Sequence, residues 1–275
     1  MNIVLTGSSS GIGRALCERL LSKGHLVWGL ARSDQSELAQ KYPNLFRSSR
    51  CDVSSWEQVA AAVASVSAQW SHVDALVTCA GSQGEIGRAV TADPSAWSLT
   101  VRANLDATYY SIRGFHPLLS LAPSRAKVVC FSGGGASKSR PNFTAYAAAK
   151  TAIVRLVETI AEEEKESRLD INALAPGAIN TRLTEEVLTM GPEVVGAAEY
   201  DTAVRQKKSG GGSMDKALDA VEWLISRASD GISGRLLSAP WDPIAKLKDL
   251  MPTVEGKDIY MLRRTTPGDL GLKWS

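Results

Sequence analysis

Thr6-Gly7-Ser8-Ser9-Ser10-Gly11-Ile12-Gly13 follows the apolar run Ile3-Val4-Leu5 and leads straight into a helical pattern. From Gly11 to Lys23, residues Ile12, Leu16, Leu20 and Leu21 share one face, and Gly24 stops the helix. A strand, a glycine-rich turn and a helix in direct succession form the context in which such a loop holds a pyrophosphate. The glycines permit a tight turn and let the backbone approach the ligand. The helix N-terminus adds free N–H groups and a partial positive charge. Gly7, Ser9, Ser10, Gly11, Ile12 and Gly13 are the candidate contacts.

Outward from this turn, strands and helices alternate. Leu26–Leu30, Leu45–Cys51, Asp74–Cys79, Lys127–Ser132, Asp170–Ala175 and Leu236-Leu237 read as further strands. Ser54 is placed to cap a helix running to about Ala68. Asp93-Pro94 opens another. A long helix is expected from Tyr146 to about Arg168, and a last core helix from Ala217 to Ser226. Repeated β-α-β units predict an α/β fold, a Rossmann-like doubly wound parallel sheet of about seven strands with helices on both faces. Residues 1–239 form the expected single domain. Residues 184–213 lose periodicity and end in Ser209-Gly210-Gly211-Gly212-Ser213, which reads as a mobile substrate loop or lid. Residues 240–275 form a tail, with Trp241, Tyr260 and Trp274 as expected anchors on the domain or on a neighbouring subunit.

Composition narrows the classes. The chain has 275 residues, 31 basic and 29 acidic, for a net charge of +2. This balance provides no basic footprint for nucleic acid. No apolar run is long enough to span a membrane. Cys17, Cys51, Cys79 and Cys130 are unpaired by spacing and lie in apolar stretches, and the three histidines are scattered. Free thiols, no metal site and a cytoplasmic location are expected.

Choice between the two dinucleotides falls at the end of the second strand. NAD(H) is favoured there by an acid that holds the ribose 2′-hydroxyl. This chain has Ala31-Arg32-Ser33 instead. Arg32 can bond a 2′-phosphate, so NADP(H) is the expected cofactor, with NAD(H) possible.

Tyr146 and Lys150 stand four residues apart on one helix and share a face. A phenol is a poor acid–base group near neutral pH unless positive charge stabilises its anion. A neighbouring ammonium and a bound nicotinamide cation would supply that charge. Tyr146 would then exchange a proton with a substrate oxygen while the cofactor exchanges a hydride.

Together the glycine loop, Asp52-Val53, Ala80-Gly81, Asn104, Tyr146-xxx-Lys150 and Pro176-Gly177-Ala178-Ile179-Asn180-Thr181 resemble the classical short-chain dehydrogenase/reductases. The resemblance runs from about Asn2 to Ala239. It implies that Asp52 and Val53 meet the adenine, that Ala80 and Gly81 line the cofactor, and that Asn104 holds a water that joins Lys150 to solvent. It also implies that Pro176, Gly177, Ile179 and Thr181 border the nicotinamide, and that the chain forms homodimers or homotetramers.

Two positions depart from the family pattern. Thr78-Cys79-Ala80-Gly81 replaces its usual Asn-Asn-Ala-Gly. The family's substrate-orienting serine, thirteen residues before the tyrosine, is Gly133 here, in Phe131-Ser132-Gly133-Gly134-Gly135. A one-residue offset on a strand turns a side chain to the other face. Either the glycines bring Ser132 into the site, or Ser137, Ser139, Thr144 or a backbone N–H takes its place. Ser132 is the candidate chosen. The expected function is oxidoreduction of a small-molecule alcohol or ketone. The alternatives are an epimerase or dehydratase of the same family that retains its cofactor, and a catalytically silent dinucleotide-binding regulatory protein.

Overall fold

The computed structural model describes residues 1–254 and 256–272. In chain order the elements are β1 (Asn2–Thr6), α1 (Gly11–Ser22), β2 (Leu26–Ala31), α2 (Ser36–Lys41), β3 (Phe46–Arg50), α3 (Trp56–Ser67) and β4 (Ala75–Thr78). Helices α4 (Pro94–Val101) and α5 (Ala107–Leu119) follow, joined by a π-helical turn over Arg102–Asp106. Next come β5 (Ala126–Phe131), α6 (Thr144–Glu163), β6 (Leu169–Ala175), α7 (Arg182–Met190), α8 (Pro192–Val195), α9 (Ala197–Lys208), α10 (Met214–Ile225), β7 (Leu236–Ser238) and α11 (Leu247–Val254).

The seven strands form one parallel sheet in the order β3-β2-β1-β4-β5-β6-β7. Its central strands are buried on both faces, and alternate residues feed two cores. Val4, Leu76, Val128 and Ile171 pack with Val59 of α3, Phe115 of α5 and Ile153 of α6. Ile3, Leu5, Val77 and Val129 pack on the other face with Leu16 and Leu20 of α1 and Val221 of α10. The strand order reverses between β1 and β4. At that switch point the chain leaves neighbouring strands in opposite directions and opens a crevice at their C-terminal ends.

Several local expectations are corrected. Ser55, not Ser54, caps α3 by accepting from the N–H of Gln58, because the Ser54 hydroxyl is bonded to Asp52 at 2.7 Å. Helix α6 ends at Glu163, before Arg168. Most of residues 184–213 is helical: α7 to α9 fold there, and Val187, Val195 and Ala203 pack with Ile86, Phe143 and the ring of Tyr146 in a third apolar cluster. The glycine run that follows is anchored, with the N–H of Gly212 donating to the Ala178 carbonyl at 2.7 Å. In the tail, Ile244 and Leu247 are buried beside α10 and Tyr260 is half-buried, whereas Trp241 is 85% exposed and does not pack on its own domain. Trp274 lies outside the described residues. Among the described residues, no helix is long and apolar enough to cross a membrane.

Candidate active site

Glycine shapes the floor of the crevice. Gly7 has φ +70°, and a Cβ there would stand 2.9 Å from the backbone of Ala80. A Cβ at Gly13 would stand 2.2 Å from the Gly7 carbonyl oxygen. Side chains are therefore excluded where the end of β1, the end of β4 and the first turn of α1 converge. The Thr6 hydroxyl fixes the spacing by accepting from the Ala80 N–H at 3.1 Å. Ser10 is the N-cap of α1 but makes no side-chain cap, and the first turn holds no acid. The open N–H groups of this turn present positive potential to the crevice.

The crevice has two connected parts. The wider, about 400 Å³, is lined by Gly7, Ser9, Ser10, Ala80 and Gly81, and at its far end by Arg32, Asp52 and Val53. The narrower, about 140 Å³, is lined by Gly11, Ile12 and Gly13 on one side and by Ser132, Tyr146 and Lys150 on the other, with Pro176 and Thr181 closing it. Gly7, Ser10, Ala80, Gly81 and Arg182 border both. A bare floor, an open helix N-terminus and an arginine at the distal end fit an elongated dinucleotide with its pyrophosphate over α1.

Asp52 accepts from both the N–H and the hydroxyl of Ser54, at 3.0 and 2.7 Å. Burial raises its pKa, but these bonds and the charges of Arg32 and Arg102 outweigh it and hold the carboxyl below the usual range.

Tyr146 and Lys150 lie one turn apart on α6, and both are buried. The Lys150 ammonium donates to the Phe131 carbonyl at 3.0 Å and lies 5.6 Å from the centre of the Tyr146 ring. Burial pushes its pKa down to about 8. Burial also raises the Tyr146 phenol above its ordinary value, opposed by the positive charge of Arg140. The chain by itself thus holds this phenol protonated at neutral pH.

Asn104 sits in the π-helical turn, completely buried. Its amide donates to the carbonyls of Ser82 and Thr100, both at 2.9 Å. Such turns recur where a helix must present a functional group. Gly81 lies between Asn104 and Lys150: a Cβ there would stand 2.8 Å from Asn104 Oδ1 and 3.4 Å from Lys150 Nζ. The missing side chain lets the two groups converge.

Other expected residues stand differently. The Ser132 hydroxyl is directed to the Lys150 carbonyl at 3.3 Å. At Gly133, a Cβ would stand 2.5 Å from the Tyr146 hydroxyl oxygen. Gly177, at φ +91°, packs on Pro240, Ile179 is buried, and neither is among the residues that border the two parts of the crevice. Cys79 borders the narrow part, but burial pushes its thiol up to about 12, which excludes a thiolate nucleophile near neutral pH.

Sequence reading passed over Arg182 and Arg140. Arg182 borders both parts of the crevice and pairs with Glu186 at 3.1 Å. Its sequence signal is its place next to Thr181, which caps α7. Arg140 carries no local signal, because its partners Gln83 and Glu199 are distant in sequence.

A family model described as short chain dehydrogenase matches residues 1–191. A short chain dehydrogenase of Monascus purpureus is 29% identical over 251 residues, covering 87% of this chain and 80% of that protein. The ligand-free aldohexose dehydrogenase of Thermoplasma acidophilum superposes with a TM-score of 0.74 at 25% identity, covering 86% of this chain and 91% of that one. A short chain dehydrogenase/reductase of Saccharomyces cerevisiae has the same fold, with a TM-score of 0.82 at 24% identity over 89% of this chain and 97% of its own.

Proposed function

We propose, since the chain belongs to the short chain dehydrogenase family, that it is an NADP(H)-dependent oxidoreductase interconverting a hydroxyl and a carbonyl on a small molecule. The observation that carries this reading is the narrow part of the crevice. One wall offers the open N-terminus of α1, and the opposite wall offers Tyr146 and Lys150.

In this reading the backbone of Ser9 to Gly13 holds the pyrophosphate, Asp52 and Val53 border the adenine, and Arg32 meets a 2′-phosphate. Arg182 adds positive charge where the two parts of the crevice meet. When bound, the reduced dinucleotide supplies the hydride. Tyr146 holds the substrate oxygen and donates its phenolic proton to it. Lys150, with its pKa near 8, is poised to return a proton to Tyr146, and Asn104 fixes the loop after β4 beside it. The short helices α7 to α9 roof Tyr146 and serve as a substrate lid. Four free cysteines and the balanced charge support a cytoplasmic location. The half-exposed Trp56 and Tyr109, on α3 and α5, support a homodimer or homotetramer.

The test is NADPH oxidation by the purified protein with a panel of ketones, ketoesters and ketosugars. Turnover should fall by about 100-fold or more in Tyr146→Phe, with NADPH affinity retained. Cofactor binding without turnover across the panel, or a fully active Tyr146→Phe, would overturn the reading.

A further inference from the structure

Arg140 lies on the loop between β5 and α6, and its side chain is only 15% exposed. Its guanidinium reaches two other parts of the chain. Nε and Nη2 both donate to Glu199 Oε1 on α9, at 3.0 and 2.5 Å. Nη1 donates at 3.0 Å to the side-chain oxygen of Gln83, a buried residue on the loop after β4. The guanidinium carbon lies 3.8 Å above the centre of the Phe143 ring and 5.5 Å from the centre of the Tyr146 ring. Each of the three nitrogens makes one hydrogen bond while the flat face of the group rests on aromatic surface.

Glu199 belongs to the same group of short helices that roofs Tyr146. Val187 of α7, Val195 of α8 and Ala203 of α9 pack with Phe143 around the tyrosine ring. When α9 sits against this cluster, its carboxylate fixes the guanidinium beside the phenol. If α9 moved away, Arg140 would lose its charged partner.

The other titratable groups facing this position are few. On α6, Lys150 is 5.6 Å from the Tyr146 ring centre, and its ammonium is bonded to the Phe131 carbonyl. Cys79 and Cys130, at the ends of β4 and β5, act on Lys150. From α9 come Glu199, through Arg140, and Tyr200, which packs on the cluster. Of these, Arg140 is the cation whose charge opposes the effect of burial on the phenol.

We propose that Arg140 is a positioning residue that ties the docking of α9 over the site to the acid–base work of Tyr146, an inference resting on the reading of Tyr146 as proton donor. Glu199 sets where the guanidinium stands, and the guanidinium sets how readily the phenol gives up its proton.

The test reads the tyrosinate ultraviolet absorption of Tyr146, taken as wild type minus Tyr146→Phe during a pH titration without substrate. Arg140→Gln removes the cation and should move the midpoint to higher pH. Glu199→Gln keeps an oxygen acceptor for Arg140 but removes the opposing negative charge, so it should move the midpoint to lower pH. Arg140→Lys restores the charge and should return the midpoint toward wild type. A purely structural role predicts no such opposition of sign. An unmoved midpoint in Arg140→Gln, or shifts of the same sign in Arg140→Gln and Glu199→Gln, would overturn the proposal. If Arg140→Gln does not fold, Glu199→Gln and Arg140→Lys decide the outcome, since a midpoint unmoved in Glu199→Gln also overturns it. With a turned-over ketone, kcat in Arg140→Gln should fall about tenfold while Arg140→Lys recovers part of it. Because the titration needs no substrate, it separates failure of this proposal from failure to find any reductase activity.

Discussion

The phenolic oxygen of Tyr146 stands 2.5 Å from the point where a Cβ on Gly133 would sit, so the tyrosine occupies space that a side chain at 133 would need. The family's usual serine therefore cannot simply be restored. In Gly133→Ser the new side chain must displace the Tyr146 ring, which is already packed in a cluster with Phe143 and Val187. Such overpacking costs about 1–3 kcal/mol, to be read by urea denaturation. Displacement of the phenol should lower turnover, by up to about 100-fold for a 1 Å shift. Raised turnover at unchanged stability would show that the ring swings aside freely.

Arg32 lines the wide part of the crevice together with Ala31 and Ser33, so neither of its chain neighbours is an acid. Hydrogen bonds to charged groups contribute about 1.5–3 kcal/mol. Arg32→Ala should raise the Kd for NADPH by about ten- to 100-fold and leave that for NADH nearly unchanged, as measured by nucleotide fluorescence titration. Equal weakening of both would refute the assignment.

Lys150 gives a stability prediction with a definite sign. Burial lowers its pKa from the ordinary 10.5 to about 8, so the unfolded chain binds its proton more tightly than the folded one. Below about pH 8 the full penalty applies, about 3 kcal/mol at 1.36 kcal/mol per pH unit. Between about pH 8 and 10.5 the penalty is relieved, and this group makes stability rise with pH. Lys150→Met removes the buried charge at the loss of the bond to Phe131, worth about 1 kcal/mol. The variant should melt higher than wild type at neutral pH, lose that advantage above pH 10.5, and be inactive. Lower melting at neutral pH would show that the ammonium stabilises the fold.

Glu158 fastens the tail to α6. Its buried carboxylate accepts from the Leu262 N–H at 2.6 Å and pairs with Arg155 at 2.5 Å and Arg263 at 3.4 Å. Glu158→Ala should destabilise by about 1–3 kcal/mol and speed amide exchange around Leu262, measured by hydrogen–deuterium exchange. Unchanged protection there would mean that Ile244 and Leu247 hold the tail without it.

Legibility followed locality. The turn from Thr6 to Gly13, the β-α-β alternation and the Tyr146–Lys150 pair were readable because each is specified by residues a few positions apart. Helix α9 left little trace in the sequence because it buries only Ala203, and a helix that gives so few side chains to a core carries almost no periodic apolar stripe. Helix α7 does carry such a stripe, with Leu183, Val187 and Met190 at helical spacing, but it is short and followed by Gly191-Pro192. The π-helical turn around Asn104 was equally hidden, since an extra backbone residue in a turn has no composition of its own.

The sequence by itself determined that this chain winds a parallel sheet around a phosphate-binding turn and places a phenol and an ammonium on one helix face. These follow from backbone sterics and from the period of apolar residues. Tertiary structure alone decided that Ser132 turns to the Lys150 carbonyl, that the Tyr146 hydroxyl fills the space beside Gly133, and that Arg140 from one loop meets Glu199 from another helix. Such contacts join residues 13, 18 and 59 positions apart, and they exist only after the sheet and its covering helices bring them within bonding distance.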